Sequence, residues 1–210
     1  MTAVAFVHGH TRRPVVWRGV SDHLPAHWAV VAPDLFTVAR VGAEPKDHRD
    51  SMVTQINRDL AHLEVLDPAV IVAEGVGAIP AIRYALEHPG RTAGIFLSGP
   101  RLHVGGRDIF KMKAGIWLHR EVANAATHEQ SNDLLGALKG VDLREAAGNV
   151  SVPRRVVVGE RDRAGRTGAD ELKALGWEHT VVAEAEWDWF SYAPSAFAAH
   201  IVKFVEDHDI

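Results

Sequence analysis

The stretch Val70-Ile71-Val72-Ala73-Glu74-Gly75-Val76-Gly77-Ala78 is an unbroken apolar run that ends in an acid and two glycines and then resumes with helical spacing. A continuous run rich in Val and Ile, with no alternation of polar residues, reads as a strand covered on both faces. From Gly77 onward, Ile79, Ile82 and Leu86 fall on one stripe, and the pattern stops at His88-Pro89-Gly90, where proline and glycine both break a helix. A strand that turns within three residues into a helix is the local unit of an α/β sheet. Ligands of such sheets bind at the carboxyl ends of the strands.

Working outward, the same rhythm recurs. Further strand-like runs are Ala3–Val7, Trp28–Ala32, Ala93–Ser98, Arg155–Val158 and Thr180–Ala183, beside Ala69–Ala73 itself. Helical patterns lie between them, including Lys46–Leu66, with Met52, Val53, Ile56, Leu60 and Leu63 on one face, and a last helix opening near Pro194. Alternation of this kind predicts right-handed crossovers and a mostly parallel six-stranded sheet with helices on both faces. The rhythm fails between Pro100 and Asn149. There the sequence offers helical patterns at Asp108–His119, Glu129–Leu138 and Val141–Ala147, and no strand. The expected organisation is one domain over 1–210 carrying a small helical lid at about 100–149.

Composition narrows the classes. The 210 residues are 47% hydrophobic, which excludes wholesale disorder, and they contain no cysteine, which excludes a disulfide framework and a thiolate-held metal. The net charge of -4, from 23 basic and 27 acidic residues, gives no basic surplus for nucleic acid. No apolar run approaches the roughly 18 residues of a membrane span, and Met1 to Val7 lack a basic leader region. The expectation is a cytoplasmic protein with a small-molecule or peptide substrate, no nucleic-acid or membrane partner, no metal and no cofactor.

Three patterns in order carry a family resemblance. Phe6-Val7-His8-Gly9-His10, with Trp17 downstream, is a strand running into a His-Gly turn; Val70 to Ala78 is the strand, turn and helix described above; Val156-Val157-Val158-Gly159-Glu160-Arg161-Asp162 is a late strand ending in an acid. With Pro33-Asp34-Leu35 after the second run, this order resembles the α/β-hydrolase fold over nearly the whole chain, beginning at that family's third strand. The resemblance implies a nucleophile elbow G-x-S-x-G, whose serine stands on a strained strand-to-helix turn. Here the frame reads Ala73-Glu74-Gly75-Val76-Gly77, so glycine occupies the nucleophile position. The family histidine, seven residues ahead of a late helix-opening proline, falls on Trp187 when counted back from Pro194. Asp162 keeps the place of the acid. An indole only donates a hydrogen bond and glycine has nothing to attack with. Loss of either serine or histidine from such a triad costs roughly a millionfold in turnover.

The turn nevertheless leaves the backbone N–H of Val76 at a helix start, where it suits an anion or a carbonyl oxygen. By resemblance the second oxyanion donor is the N–H of His10. His10 and Asp162 are the candidates for acid–base work. The candidate substrate-binding residues are His8, Thr11, Glu74, Gly75, Phe110, Trp117, Trp187 and Trp189. Glu74 becomes an acid or base only if burial raises its pKa; otherwise it is solvated or salt-bridged. Phe190 and Tyr192 are read as core. His8 and His10 form a His-x-His pair for which the motif supplies no third metal ligand, and Ser98 is the one displaced nucleophile available.

A hydrolase body without its triad resembles atypical enzymes of natural-product pathways, such as the bottromycin-type peptide aspartate epimerase. That resemblance implies an isomerase or epimerase acting by substrate-assisted proton transfer on a natural-product peptide or a small acid. A small-ligand binding protein without turnover, and a hydrolase with displaced catalytic residues, stay open as alternatives.

Overall fold

The computed structural model describes residues 1–39, 45–63, 67–118 and 125–210. Six strands, β1 (Ala3–Val7), β2 (Ala29–Val31), β3 (Ala69–Glu74), β4 (Thr92–Ser98), β5 (Arg154–Gly159) and β6 (Glu178–Val182), form one sheet in the order β2-β1-β3-β4-β5-β6. Every neighbouring pair is parallel. The longer helices are α1 (Pro45–Ala61), α2 (Ala78–Glu87), α3 (Gly106–Leu118), α4 (His128–Ala137), α5 (Arg163–Ala174) and α6 (Pro194–His208).

Alternating residues on each central strand go to opposite faces, and the two faces differ in kind. Ala3, Ala5, Ala69 and Ala73 join Val7 and Ile71 in the core that takes Met52 and Ile56 of α1, Ile79 and Ile82 of α2, Leu134 of α4 and Leu172 of α5. Small strand side chains let these helices approach closely. On the other face Val4, Phe6, Val70, Val72, Phe96 and Val157 meet Trp17, Phe190 and the α6 residues Phe197, Ile201 and Phe204. Trp17 is stacked between Phe6 and Phe190, with ring centroids 4.9 and 4.8 Å away.

The observed elements depart from the sequence reading at the edges. β2 is shorter than Trp28–Ala32, and β6 starts two residues before Thr180 because its ladder with β5 runs from Arg155 opposite Glu178. Polar Glu178 and His179 are tolerated there because β6 is an edge strand. The helix read at Val141–Ala147 is replaced by a 3-10 turn at Ala146–Asn149. Asp142 explains the difference: its carboxylate accepts the backbone N–H of Arg144, an alternative to helical bonding. No strand of the sheet lies between Pro100 and Asn149 among the described residues.

The strand order reverses at β1, so the crevice between the carboxyl ends of β1 and β3 is the topological switch point. Two contacts weld it. A side chain at Gly77 would place its Cβ 2.6 Å from the His8 carbonyl oxygen and 2.8 Å from that of Val7, so the turn into α2 lies directly against the end of β1. The fully buried His8 ring joins the loops after β1 and β2: its Nε2 accepts the Leu35 N–H at 3.0 Å, which puts the proton on Nδ1, 2.7 Å from the Gly9 carbonyl. Burial lowers the His8 pKa from 6.5 to about 4, against the opposing pull of the Gly9 bond and of Asp34.

Gly77→Ala is expected to cost about 2 kcal/mol or more by overpacking, measured by urea unfolding. Gly90→Ala, where nothing lies within 4 Å of the new methyl, should be neutral or slightly stabilising. Because the folded-state pKa of His8 is depressed, its stabilisation is present above pH 6.5 and is lost as pH falls toward about 4. His8→Asn should lower the whole stability–pH curve by about 2 kcal/mol through imperfectly replaced hydrogen bonds, and should make its acid limb shallower.

Candidate functional site

Above the carboxyl ends of the central strands lies a cavity of about 730 Å³. The loop after β1 contributes His10 and Thr11, the end of β3 contributes Glu74, Gly75 and Val76, and the loop after β4 contributes Gly99 to His103. Met112 enters from α3, Asp162 and Gly165 from the start of α5, and Trp187 from the loop after β6.

Gly75 stands at the tip of the turn with φ +55°, a left-handed conformation that costs a residue with a side chain roughly 1–3 kcal/mol. A Cβ built on it meets no atom within 4 Å, and Gly75 lines the cavity. The turn is pinned by the Arg101 N–H, which donates to the Gly75 carbonyl at 2.9 Å. A 3-10 turn at Gly75–Gly77 leads into α2, so the Val76 N–H belongs to the first turn of a helix and has no acceptor within it. Among the described residues the His10 N–H also donates no hydrogen bond, while the His10 carbonyl accepts from the Ser131 hydroxyl at 2.6 Å.

Glu74 is fully buried behind this turn, and its Oε1 accepts the Gly9 N–H at 2.5 Å. Burial raises its pKa from 4.5 to about 7. The Gly9 bond and Arg12 oppose the rise, and the Asp162 and Asp188 carboxylates add to it. Arg12 is a cation at 1% exposure, ion-paired with Asp188 and lying over the Trp187 ring, 5.2 Å from its centroid. The Trp187 indole thus lies on a buried guanidinium. Burial, with Arg101 nearby, lowers the His10 pKa to about 4, so its imidazole is neutral at neutral pH and a weak base. Burial raises the pKa of Asp162, against its hydrogen bond from Gly165 and the charge of Arg101. Asp162 is tied down as the cap of α5, its Oδ1 accepting the Gly165 N–H at 2.7 Å.

Of the residues singled out in the sequence, His10, Thr11, Glu74, Gly75, Val76, Asp162 and Trp187 meet around one cavity. Three others stand elsewhere, which corrects their expected lining role. His8 is enclosed and both its nitrogens are engaged, which leaves no lone pair for a metal. Phe110 points to solvent at 77% exposure, because it lies on the face of α3 opposite to that of the half-buried Ile109 and the buried Met112. Trp189 is core, its ring 4.8 Å from Phe197 and its N–H on the Ser98 hydroxyl, which accounts for Ser98 as a hydrogen-bond acceptor. The Trp117 side chain lies outside the described residues. Phe190 is core as expected; Tyr192 is not, being exposed and accepting the Glu186 N–H through its hydroxyl. Among the described residues no group of three or more His, Asp or Glu is placed to hold a metal ion, and no helix is long and apolar enough to cross a membrane.

Two residues of the site went unread in the sequence. Arg12 carries the signal of a charged residue three positions past the His-Gly turn. Arg101 follows Gly99-Pro100 at the end of β4. It lines the cavity, its charge is felt by both His10 and Asp162, and it forms no ion pair among the described residues.

No protein-family model matches the sequence, and comparison with curated proteins finds no match. Solved structures do match. A lipase-esterase related protein from Clostridium acetobutylicum ATCC 824 superposes with a TM-score of 0.78 at 11% identity, covering 97% of this chain and 94% of that one. A bromoperoxidase from Bacillus anthracis gives 0.74 at 14% identity over 98% and 92% of the two chains. A thermophilic esterase from Thermogutta terrifontis gives 0.71 at 16% identity over 99% and 90%. At such identities the likeness speaks for architecture alone: the chain has the α/β-hydrolase fold, a parallel six-stranded sheet with helices on both faces.

Proposed function

We propose that this chain is a non-hydrolytic enzyme of the α/β-hydrolase fold, an isomerase or epimerase that moves a proton at the carbon beside a carbonyl group of a natural-product peptide or a small acid. The observation that carries this reading is the open elbow: Gly75 keeps the left-handed turn of a nucleophile position, with no atom within 4 Å where a side chain would begin, at the wall of a ligand-sized cavity. A substrate can then approach the Val76 and His10 N–H groups with no serine between. Those donors favour the oxygen of a developing enolate, which needs electrostatic stabilisation rather than a covalent bond to the protein. The reaction is substrate-assisted: an acidic group of the substrate takes the proton from one face of its own α-carbon. Arg101, beside His10 and Asp162 and without an ion pair among the described residues, suits an acidic substrate. The segment at 100–149 acts as the lid, with Met112 over the cavity.

Treatment with a fluorophosphonate probe and a panel of activated esters is expected to give no covalent label and no turnover; labelling would restore the reading of a hydrolase with displaced residues. In deuterated water, peptides containing L-aspartate and small 3-carboxy acids should take up deuterium at the α-carbon in the presence of the protein. Tight binding without uptake would instead make the chain a ligand-binding protein. Gly75→Ser combined with Trp187→His is expected to introduce weak esterase activity, read with a chromogenic ester, because it refills both vacated positions.

A further inference from the structure

Resting on the proton-transfer reading, we propose that Glu74 is the protein's own acid–base residue, serving the face of the α-carbon opposite to the one served by the substrate's acidic group. Its place in the fold supports this role. Glu74 is the last residue of β3, adjacent to the open elbow, and with Gly75 and Val76 it is among the residues that line the cavity. The carboxyl is set rather than loose. Oε1 takes the Gly9 N–H, and Gly9 leaves room for it, since a Cβ there would fall 2.5 Å from Oε1 and 2.9 Å from the carboxyl carbon.

Charged groups face it from three elements. Arg12, from the loop after β1, favours the carboxylate; Asp162, at the end of β5, and Asp188, after β6, favour the acid, as burial does more strongly than either. With a pKa of about 7, both forms are populated at neutral pH, as a residue that both takes and gives a proton requires. His10, beside it on the cavity wall, is neutral and spends its N–H on the enolate oxygen.

The step balances as follows. The substrate's carboxylate removes the α-hydrogen as a proton, and the C–H electron pair moves into the enolate, whose oxygen rests on the Val76 and His10 N–H groups. The Glu74 carboxylic acid then gives its proton to the other face of the carbon, which inverts it and leaves Glu74 as carboxylate. Exchange with solvent resets both groups, and the reverse direction uses them in the opposite order. Arg12, through Asp188 and the Trp187 ring, acts as a positioning residue behind the carboxyl.

Glu74→Gln tests this with the full chain. The amide oxygen still accepts the Gly9 N–H, so the variant should fold. The raised folded-state pKa makes the Glu74 carboxyl stabilising below about pH 4.5, with that contribution lost as pH rises through about 7, so the variant should gain stability over wild type between pH 5 and 8. With L-aspartyl peptides in deuterated water, inversion is expected to fall by about 100-fold or more, while deuterium uptake with retention persists through the substrate's own group. A purely structural role would lower uptake and inversion together. Inversion at the wild-type rate in Glu74→Gln, or parallel loss of both signals, overturns the inference and leaves the proton-transfer reading standing.

Wild-type protein that exchanges no probe overturns the proton-transfer reading itself. The Glu74 assignment is then judged by carbon-13 carboxyl resonances, assigned with the variant, in the presence of 3-nitropropionate, whose nitronate imitates an enolate. A titration midpoint near 7 that moves when the nitronate is added supports it. A midpoint below about 5, or one indifferent to the nitronate, overturns it.

Discussion

Everything at the working edge of this protein depends on how closely two loops come together, those after β1 and after β3. Gly77 lies against the carbonyls of Val7 and His8, and Gly9 lies against the carboxyl of Glu74, so the two turns touch through positions without side chains. A methyl group at Gly77 would push the backbones apart by a distance that close packing does not absorb cheaply, and one at Gly9 would displace the Glu74 carboxyl. Because they touch, His10, Glu74 and Val76 line the same cavity. The neutral His8 ring completes the arrangement by anchoring the loop after β2 to the same point.

The electrostatics follow from this closure. Glu74 and Arg12 are withdrawn from water together, with Asp188 partly so, and a buried charge is tolerated only when it is paired. Arg12 and Asp188 satisfy one another, which leaves Glu74 with a single backbone donor and two acidic neighbours within electrostatic reach. The cluster is therefore close to neutral when Glu74 is protonated and carries a net negative charge when it is not. Burial, more than these charges, raises the carboxyl pKa to about 7. The Trp187 ring lies over the Arg12 guanidinium, whose charge its aromatic face attracts.

The fold was legible in the sequence to a large degree because its signals are local. Continuous Val and Ile runs mark strands buried on both faces, and the Gly-Pro breaks after Glu87 mark the end of α2. The edges were less legible: β2 and β6 are half solvated, so composition does not bound them and the pairing register does. At the site, the backbone features could be read from the frame around Gly75, while the charges could not. Whether Glu74 is solvated or buried depends on Gly9, Arg12 and Asp188, residues 65, 62 and 114 positions away in the chain. The aromatic residues misled for a related reason. Phe110, Trp189 and Tyr192 all sit near the lid or the last loop in sequence, but one turn of helix or one residue of loop decides between cavity, core and solvent.

The likeness to esterases and a bromoperoxidase is one of scaffold, and a scaffold fixes where chemistry can occur more firmly than which chemistry occurs. Here the Val76 N–H stands at a helix start, and the cavity above it is lined by His10, Gly75 and Val76. At Gly75 the turn carries no side chain. An enolate places the same demand on such a site as a tetrahedral intermediate does, namely stabilisation of a developing oxyanion. It places none on a side chain at position 75. The buried end of β3 adds a carboxyl raised to about 7, in a residue type that ordinarily ionises far lower. Burial of Glu74 against Gly9 thus closes the junction between the loops and also raises the carboxyl pKa to about 7, against the hydrogen bond that Gly9 itself donates.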